Sequence, residues 1–485
     1  MTKIKKIISA VVLSSLMTAS CNKDFIELTP ISTVSIDQLY KTDNDFRDAL
    51  TGAYRSLQNQ YQNFWIFGDV RGDDSEQQVV KNDPWYFSDT FTINNDLALL
   101  STTWSNYYQL ITRANNVIAK IEEVDASTLP NKNRHIGEAK FLRALAYFDL
   151  VRIYGDVPMI TGPITTEQSY KLKRESVATI YNEVILKDLL DAETKLAASY
   201  SGTNVGRPTI GAAKSLLGRV YLTLNDFSKA ETKLREVTTL GYALLPNYND
   251  LFDYTKNEHH SEYIFDVEYE EGLGGQGSVF TSRFFPNSAA MATFYGIRGG
   301  DLAETNSPTE KLISAFAATD KRRDVSIGTK GGFYDATGKF VALPQATSQT
   351  YTKKYITPLA VQNDSRANWK VIRYADVVLM LAEALNENDK AAEAITFLNQ
   401  VRQRAGVPVY TVTTKADIRE KIALERRLEL SFEGHRWFDL VRTGKALEVM
   451  RSTGMQDFMT IFPVPLSQVQ VVNDRNIFPQ NPGYN

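Results

Sequence analysis

Residues 63–96 hold the side chains best suited to chemistry in this chain of 485 residues. Phe64, Trp65 and Phe67 lead into Asp69, Arg71, Asp73, Asp74 and Gln77, followed by Trp85 and Tyr86 and then by Asn94 and Asn95. Flat rings interleaved with short carboxylates, amides and a guanidinium match what a pyranose ring demands. Its apolar face of axial C–H groups stacks on an indole or phenol, and its rim of hydroxyls needs polar partners. On a rigid support such a surface takes up sugar at small entropy cost. Asn82-Asp83-Pro84 implies a turn that leaves Trp85 on a loop, where ligand contact and plain loop packing are both open. Trp65 sits in a more apolar setting and suits the core equally well. A second cluster runs from Arg283, Phe284, Phe285 and Pro286 through Phe294, Tyr295 and Arg298 to Gly299-Gly300-Asp301. Tyr295 with Arg298 repeats the pairing of ring and cation, and the glycines permit close backbone approach. The competing account is that this segment packs on helices. Trp369 and Trp437 fall in regular segments and read as structural.

Other constellations carry less. Arg71-Gly72-Asp73 spells an adhesion tripeptide but reads as loop chemistry. Glu258-His259-His260 offers metal-ligand types, yet adjacent histidines diverge on any regular backbone and no third ligand is evident, so no metal site is assigned. Two carboxylates near Trp85 are the minimum for glycoside hydrolysis, which requires them about 5 to 10 Å apart. No serine elbow, phosphate loop or zinc motif accompanies them. No catalytic residue and no cofactor is assigned.

Cys21 is the only cysteine, and its position is informative. Before it lie a basic start (Lys3, Lys5, Lys6), an apolar run from Ile7 to Met17 and the small residues Thr18-Ala19-Ser20. That is the layout of a secretory leader, too short and wrongly flanked to span a bilayer. A lone exported thiol has no disulfide partner, but it can take a diacylglycerol and leave the mature protein lipid-anchored from residue 21. At roughly 0.8 kcal/mol per buried methylene, two or three acyl chains give stable attachment. With 54 basic and 57 acidic residues the formal charge is −3, which gives no electrostatic case for nucleic acid.

The elements that must position these groups are mostly helices. Asp43-Asn44-Asp45 precedes Phe46, Leu50, Ala53, Tyr54 and Leu57 at helical spacing, and further helices are predicted over about 103–122, 133–154, 175–198, 208–224, 227–239, 370–387, 390–405 and 415–432. Leu217, Tyr221, Ala230, Leu234 and Val237 share their relative offsets with Leu381, Leu385, Ala394, Leu398 and Val401. A small residue follows the first leucine in each set (Gly218, Ala382), and Asn225-Asp226 or Asn388-Asp389 turns the chain. This is the spacing of tetratricopeptide-like helical hairpins. Residues 63–100 are rich in Asp, Asn, Trp and Phe without a clear period, and residues 241–369 mix strand-like pieces such as Tyr263–Tyr269 with glycine turns. Loops that long are usually functional or disordered, and their aromatic content argues against disorder.

Four stretches carry a family resemblance: Glu138–Pro158, Arg373–Asn386, Leu398–Gly406 and Glu425–Gly444, with the closing Phe462-Pro-Val-Pro465 and Asn481-Pro-Gly-Tyr484. In order and spacing they resemble the SusD/RagB family of Bacteroidetes outer-membrane lipoproteins. Physically these signatures read as core and helix-pairing charges, with Glu433, His435 and Arg436 assigned no catalysis. The resemblance implies a mainly α, SusD-like fold: a signal peptide over 1–20 and one domain over 21–485. Its helical-repeat parts would cover about 42–62, 103–240 and 370–445, and its loop-rich ligand-binding parts about 63–102 and 241–369. It further implies a surface lipoprotein that binds oligo- or polysaccharide uncut and passes it to a SusC-like TonB-dependent transporter in the outer membrane. Lys23-Asp24 after the cysteine resembles the export signal that places such proteins on the cell exterior. A peptide or glycopeptide cargo, as for RagB-type relatives, is the alternative.

Overall fold

The structure is a computed structural model that describes residues 39–77, 83–298, 302–328, 332–334, 339–342 and 350–484. The predicted leader, Cys21, Asn82 and Gly299-Gly300-Asp301 lie outside the described residues. The elements that matter here are α1 (Asp43–Tyr61), α2 (Pro84–Asp89), α3 (Ala98–Glu122), α4 (Lys132–Tyr154), α5 (Leu186–Lys195), α6 (Ile210–Thr223) and α7 (Phe227–Thr238). They continue with β1 (Tyr263–Val267), α8 (Phe280–Phe284), α9 (Ala289–Phe294), β2 (Trp369–Arg373), α10 (Tyr374–Glu387), α11 (Ala391–Ala405), α12 (Lys415–Glu429) and α13 (Arg436–Arg442).

The long helices pack in a winding stack: α1 on α3, α3 on α4, α4 on α5, α5 on α6, α6 on α7, then across to α10, α11 and α12. Local sequence explains the element ends. Thr42 and Asp45 form a reciprocal capping box at the start of α1, satisfying donors that the first helical turn leaves free. The two predicted hairpins are α6 with α7 and α10 with α11. Asn225 (φ 58°) and Asp389 (φ 61°) occupy equivalent turn positions in the left-handed region, which asparagine and aspartate tolerate better than most residues. At Gly218 an added Cβ would lie 2.5 Å from a Leu234 methyl carbon, so the small residue is what lets the helices close.

The charges of the 425–442 stretch hold elements together. Arg373, only 2% exposed, pairs with Glu262 (2.9 Å), Glu429 (2.6 Å) and Glu433 (2.7 Å), while buried Arg322 pairs with Asp320, Glu425 and Glu429. Three cations near Glu429 hold its carboxyl far below the usual carboxylate range despite burial.

Two local expectations change. Residues 370–373 are strand rather than helix, because Trp369–Arg373 pairs antiparallel with Tyr263–Val267 and buries residues on both faces. The segment after Asp83 is not an open loop: Pro84 starts the six-residue helix α2, its fixed φ and missing N–H suiting the first helical position. Buried apolar residues from Phe46 to Phe478 form one contiguous cluster, with Trp369 and Trp437 fully buried in it.

Candidate functional site

α2 turns the aromatic side chains of the 63–96 segment toward a neighbouring short helix. Trp85, at the second position of α2, is half-buried and leans on Trp65 at a ring separation of 5.9 Å. Trp65 itself is interior, 1% exposed, with Nε1 donating to the Gln62 carbonyl (3.0 Å) and its ring edge-on to Phe284 of α8 (5.2 Å). The next α8 residue toward its start, Arg283, carries its guanidinium 5.1 Å from the centre of the Trp85 ring. Among the described residues that guanidinium has no hydrogen-bond acceptor. Burial pushes its pKa down, with the Asp83 carboxylate acting in the opposite direction. Indole and cation therefore form a supported pair with unspent donors, the combination a sugar face and its hydroxyls require. Tyr86 stands beside them, half-buried and edge-on to Phe87 (6.2 Å). Trp85 Nε1 is turned inward and finds no acceptor among the described residues.

The second predicted cluster begins where the same short helix ends. Phe285 packs edge-on against Tyr295 (5.4 Å), whose hydroxyl meets that of Tyr351 (3.2 Å). Phe294, at the end of α9, is 39% exposed and perpendicular to Tyr295 (5.0 Å), and Arg298 is exposed. α8 and the residue that follows it thus join two segments about 200 residues apart in sequence, Arg283 meeting Trp85 and Phe285 meeting Tyr295.

Asp69, Arg71, Asp73 and Asp74 do not form the expected polar rim. Asp69, 2% exposed, accepts from the Gly434 N–H (2.8 Å), and burial pushes its carboxyl up to about 8. Arg71 is fully buried between the Phe91 and Phe462 rings (4.1 and 4.5 Å) and donates to the Ser88 and Met459 carbonyls (3.2 and 2.9 Å). Asp73 binds Arg436 (2.7 Å) and Arg427 (3.1 Å), and buried Asp74 binds Arg427 (2.5 Å). Buried charge is costly unless paired, and the cations that pair with Asp73 and Asp74 come from α12 and the start of α13. Of this segment, Trp65 backs Trp85 and Arg71 holds α2 through the Ser88 carbonyl. The adhesion-like tripeptide is accordingly folded inward.

Asn94 and Asn95 face a different surface. With Asp96 they edge a cleft of about 390 Å³ whose rings are Phe91, Phe458 and Tyr484, the last two perpendicular at 4.9 Å. Sequence reasoning placed neither Phe458 nor Tyr484 in a site, since they lie some 360 to 390 residues further along. Arg283 was visible only as the start of the second cluster. The two histidines of 258–260 face different partners: His259 Nε2 meets Glu268 (2.6 Å), and His260 Nδ1 accepts from the Glu262 N–H (3.2 Å).

Comparisons with known proteins cover the chain almost end to end. The profile described as "SusD family" matches residues 247–484, and one described as "Starch-binding associating with outer membrane" matches 24–222. The "SusD-like protein P38" of Formosa agariphila is 30% identical, over 93% of this chain and 94% of that protein. The "SusD-like protein P2" of the same organism is 27% identical, over 95% of this chain and 96% of that protein. A solved structure titled "Laminarin binding SusD-like protein" superposes with a TM-score of 0.79 at 29% identity, covering 92% of this chain and 100% of its own.

Proposed function

The chain belongs to the SusD family, with the mainly α fold of that family, and from this premise we propose that it binds oligo- or polysaccharide at the outer-membrane surface. The observation that carries the reading is the likeness over nearly the whole chain to a structure titled as laminarin binding. The Trp85–Arg283 pair supplies the matching chemistry, a half-buried ring with a cation over it whose donors meet no acceptor among the described residues. Residues 21–485 act as one body, tethered through a lipid on Cys21 and facing the exterior. The cargo passes uncut to a SusC-like TonB-dependent transporter in the same membrane. Asp73 and Asp74 are committed to arginines and Asp69 is buried, which supports capture rather than hydrolysis at this surface.

The test is calorimetric titration of the full chain with a panel of soluble polysaccharides, laminarin and starch included, and with peptides, while assaying released reducing ends. Saturable heat from a polysaccharide without new reducing ends is the expected result. Heat from peptides alone, or steady release of sugar, would overturn the reading.

A further inference from the structure

Away from the loop surface, a cleft of about 680 Å³ opens between the C-terminal ends of α4 and α6 and one face of α13. Its walls are largely apolar, with Val151, Tyr181, Leu222, Met380 and Phe438 among them. Its polar end holds the carboxylates of Asp439 and of exposed Asp156, with Asp376 behind it, together with donors that lack acceptors. Asp376 accepts from Arg219 (2.6 Å) and Arg426 (2.8 Å), and Asp439 from Arg426 (2.9 Å) and Arg442 (2.8 Å). Arg219 Nε, by contrast, is buried without an acceptor among the described residues. Arg152 donates through Nε to the Phe148 carbonyl and through Nη2 to Asp149, which leaves Nη1 without an acceptor among the described residues. The Arg152 guanidinium is held between the Phe148 and Phe438 rings, 3.9 and 4.1 Å from their centres, so its position is fixed before anything binds.

A pocket with preorganised cationic donors at one end and apolar walls is complementary to a small organic anion. Guanidinium donors take carboxylates in particular. We propose that this cleft is a second ligand site, separate from the Trp85 surface, for a carboxylate with an apolar body. The carboxylate meets Arg152 and Arg219, and the body lies on Leu222, Met380 and Phe438. Nothing in the glycan reading requires this site, and either can fail alone.

The experiment titrates the full chain carrying Cys21→Ala, which keeps lipid and detergent out of the cell, with naphthalene-2-carboxylate and with the uncharged 2-naphthalenemethanol. One-to-one binding of the acid, at least ~10-fold tighter than the alcohol, is expected from charge-assisted hydrogen bonds. Arg152→Gln is expected to lower the affinity for the acid by ~10-fold or more. Ala178→Trp places bulk in the cleft from an exposed position, so it leaves the core intact and is expected to abolish binding. No binding of the acid, equal affinity for acid and alcohol, or wild-type affinity in Ala178→Trp overturns the proposal.

Discussion

Trp85 and Arg283 form a pair that neither segment reveals by itself. If a sugar stacks there, Trp85→Ala weakens glycan binding by about 1 to 3 kcal/mol and leaves the circular dichroism spectrum unchanged; calorimetry reads the first and spectroscopy the second. Unchanged affinity would remove Trp85 from the site. Asp69 tests the opposite role, that of a buried support. Its carboxyl is pushed up to about 8 in the folded chain, above the unfolded value of about 3.9, so between these values the folded state holds more protons than the unfolded one. Stability from this group is present at low pH and is lost as pH rises toward 8. Asp69→Asn, which mimics the protonated form, is predicted to flatten the fall in melting temperature between about pH 5 and pH 8. The residue types at 69–74 were legible as polar, but their destination was not. A carboxylate on a sugar rim and one paired to Arg427 or Arg436 are the same letter, and the deciding partners lie some 360 residues away.

The helical hairpins were readable because their signals are local: matched offsets, a small residue after leucine, and an Asn-Asp turn. The short helix α2 was misread because Pro84 fits a turn and a first helical position equally well, and six residues are too few to show a period. β2 was absorbed into α10 because the strand runs directly into the helix, and only its partner β1 fixes it as extended. Close approaches give the sharpest predictions at this scale. A Cβ at Gly68 would lie 2.4 Å from the Gly434 carbonyl oxygen, where backbone meets backbone and no side chain can yield. Gly68→Ala is therefore predicted to cost about 1 to 3 kcal/mol in urea unfolding, although alanine suits a helical turn better than glycine. Arg373→Met would take one cation from each of three buried carboxylates, leaving Glu262 to Arg404, Glu429 to Arg322 and Arg404, and Glu433 to Lys354, and the uncompensated buried charge is predicted to cost about 3 to 5 kcal/mol in the same measurement.

At the scale of the whole molecule, the family and its mainly α fold were legible in a few signature stretches, because core and helix-pairing residues such as Phe141, Leu381 and Glu429 keep fixed spacings. The proposed ligand surface was only half legible. Its rings were visible, but its assembly across α2 and α8 depends on long-range packing that spacing does not encode. The cleft edged by Asn94 and Asn95 was closed to sequence reasoning for the same cause, since Phe458 and Tyr484 arrive from the other end of the chain. Anchoring and binding are separable in this account: Cys21→Ala is predicted to move the protein from the membrane to the soluble fraction of fractionated cells with glycan affinity intact. The most direct measurement of the central claim is electrophoresis of the native chain through gels cast with and without polysaccharide, with Trp85→Ala and Arg283→Ala run alongside. Laminarin or a related glucan is predicted to retard the wild-type chain and to retard both variants clearly less. Equal retardation of all three, or free migration of the wild type through every polysaccharide tried, would contradict it.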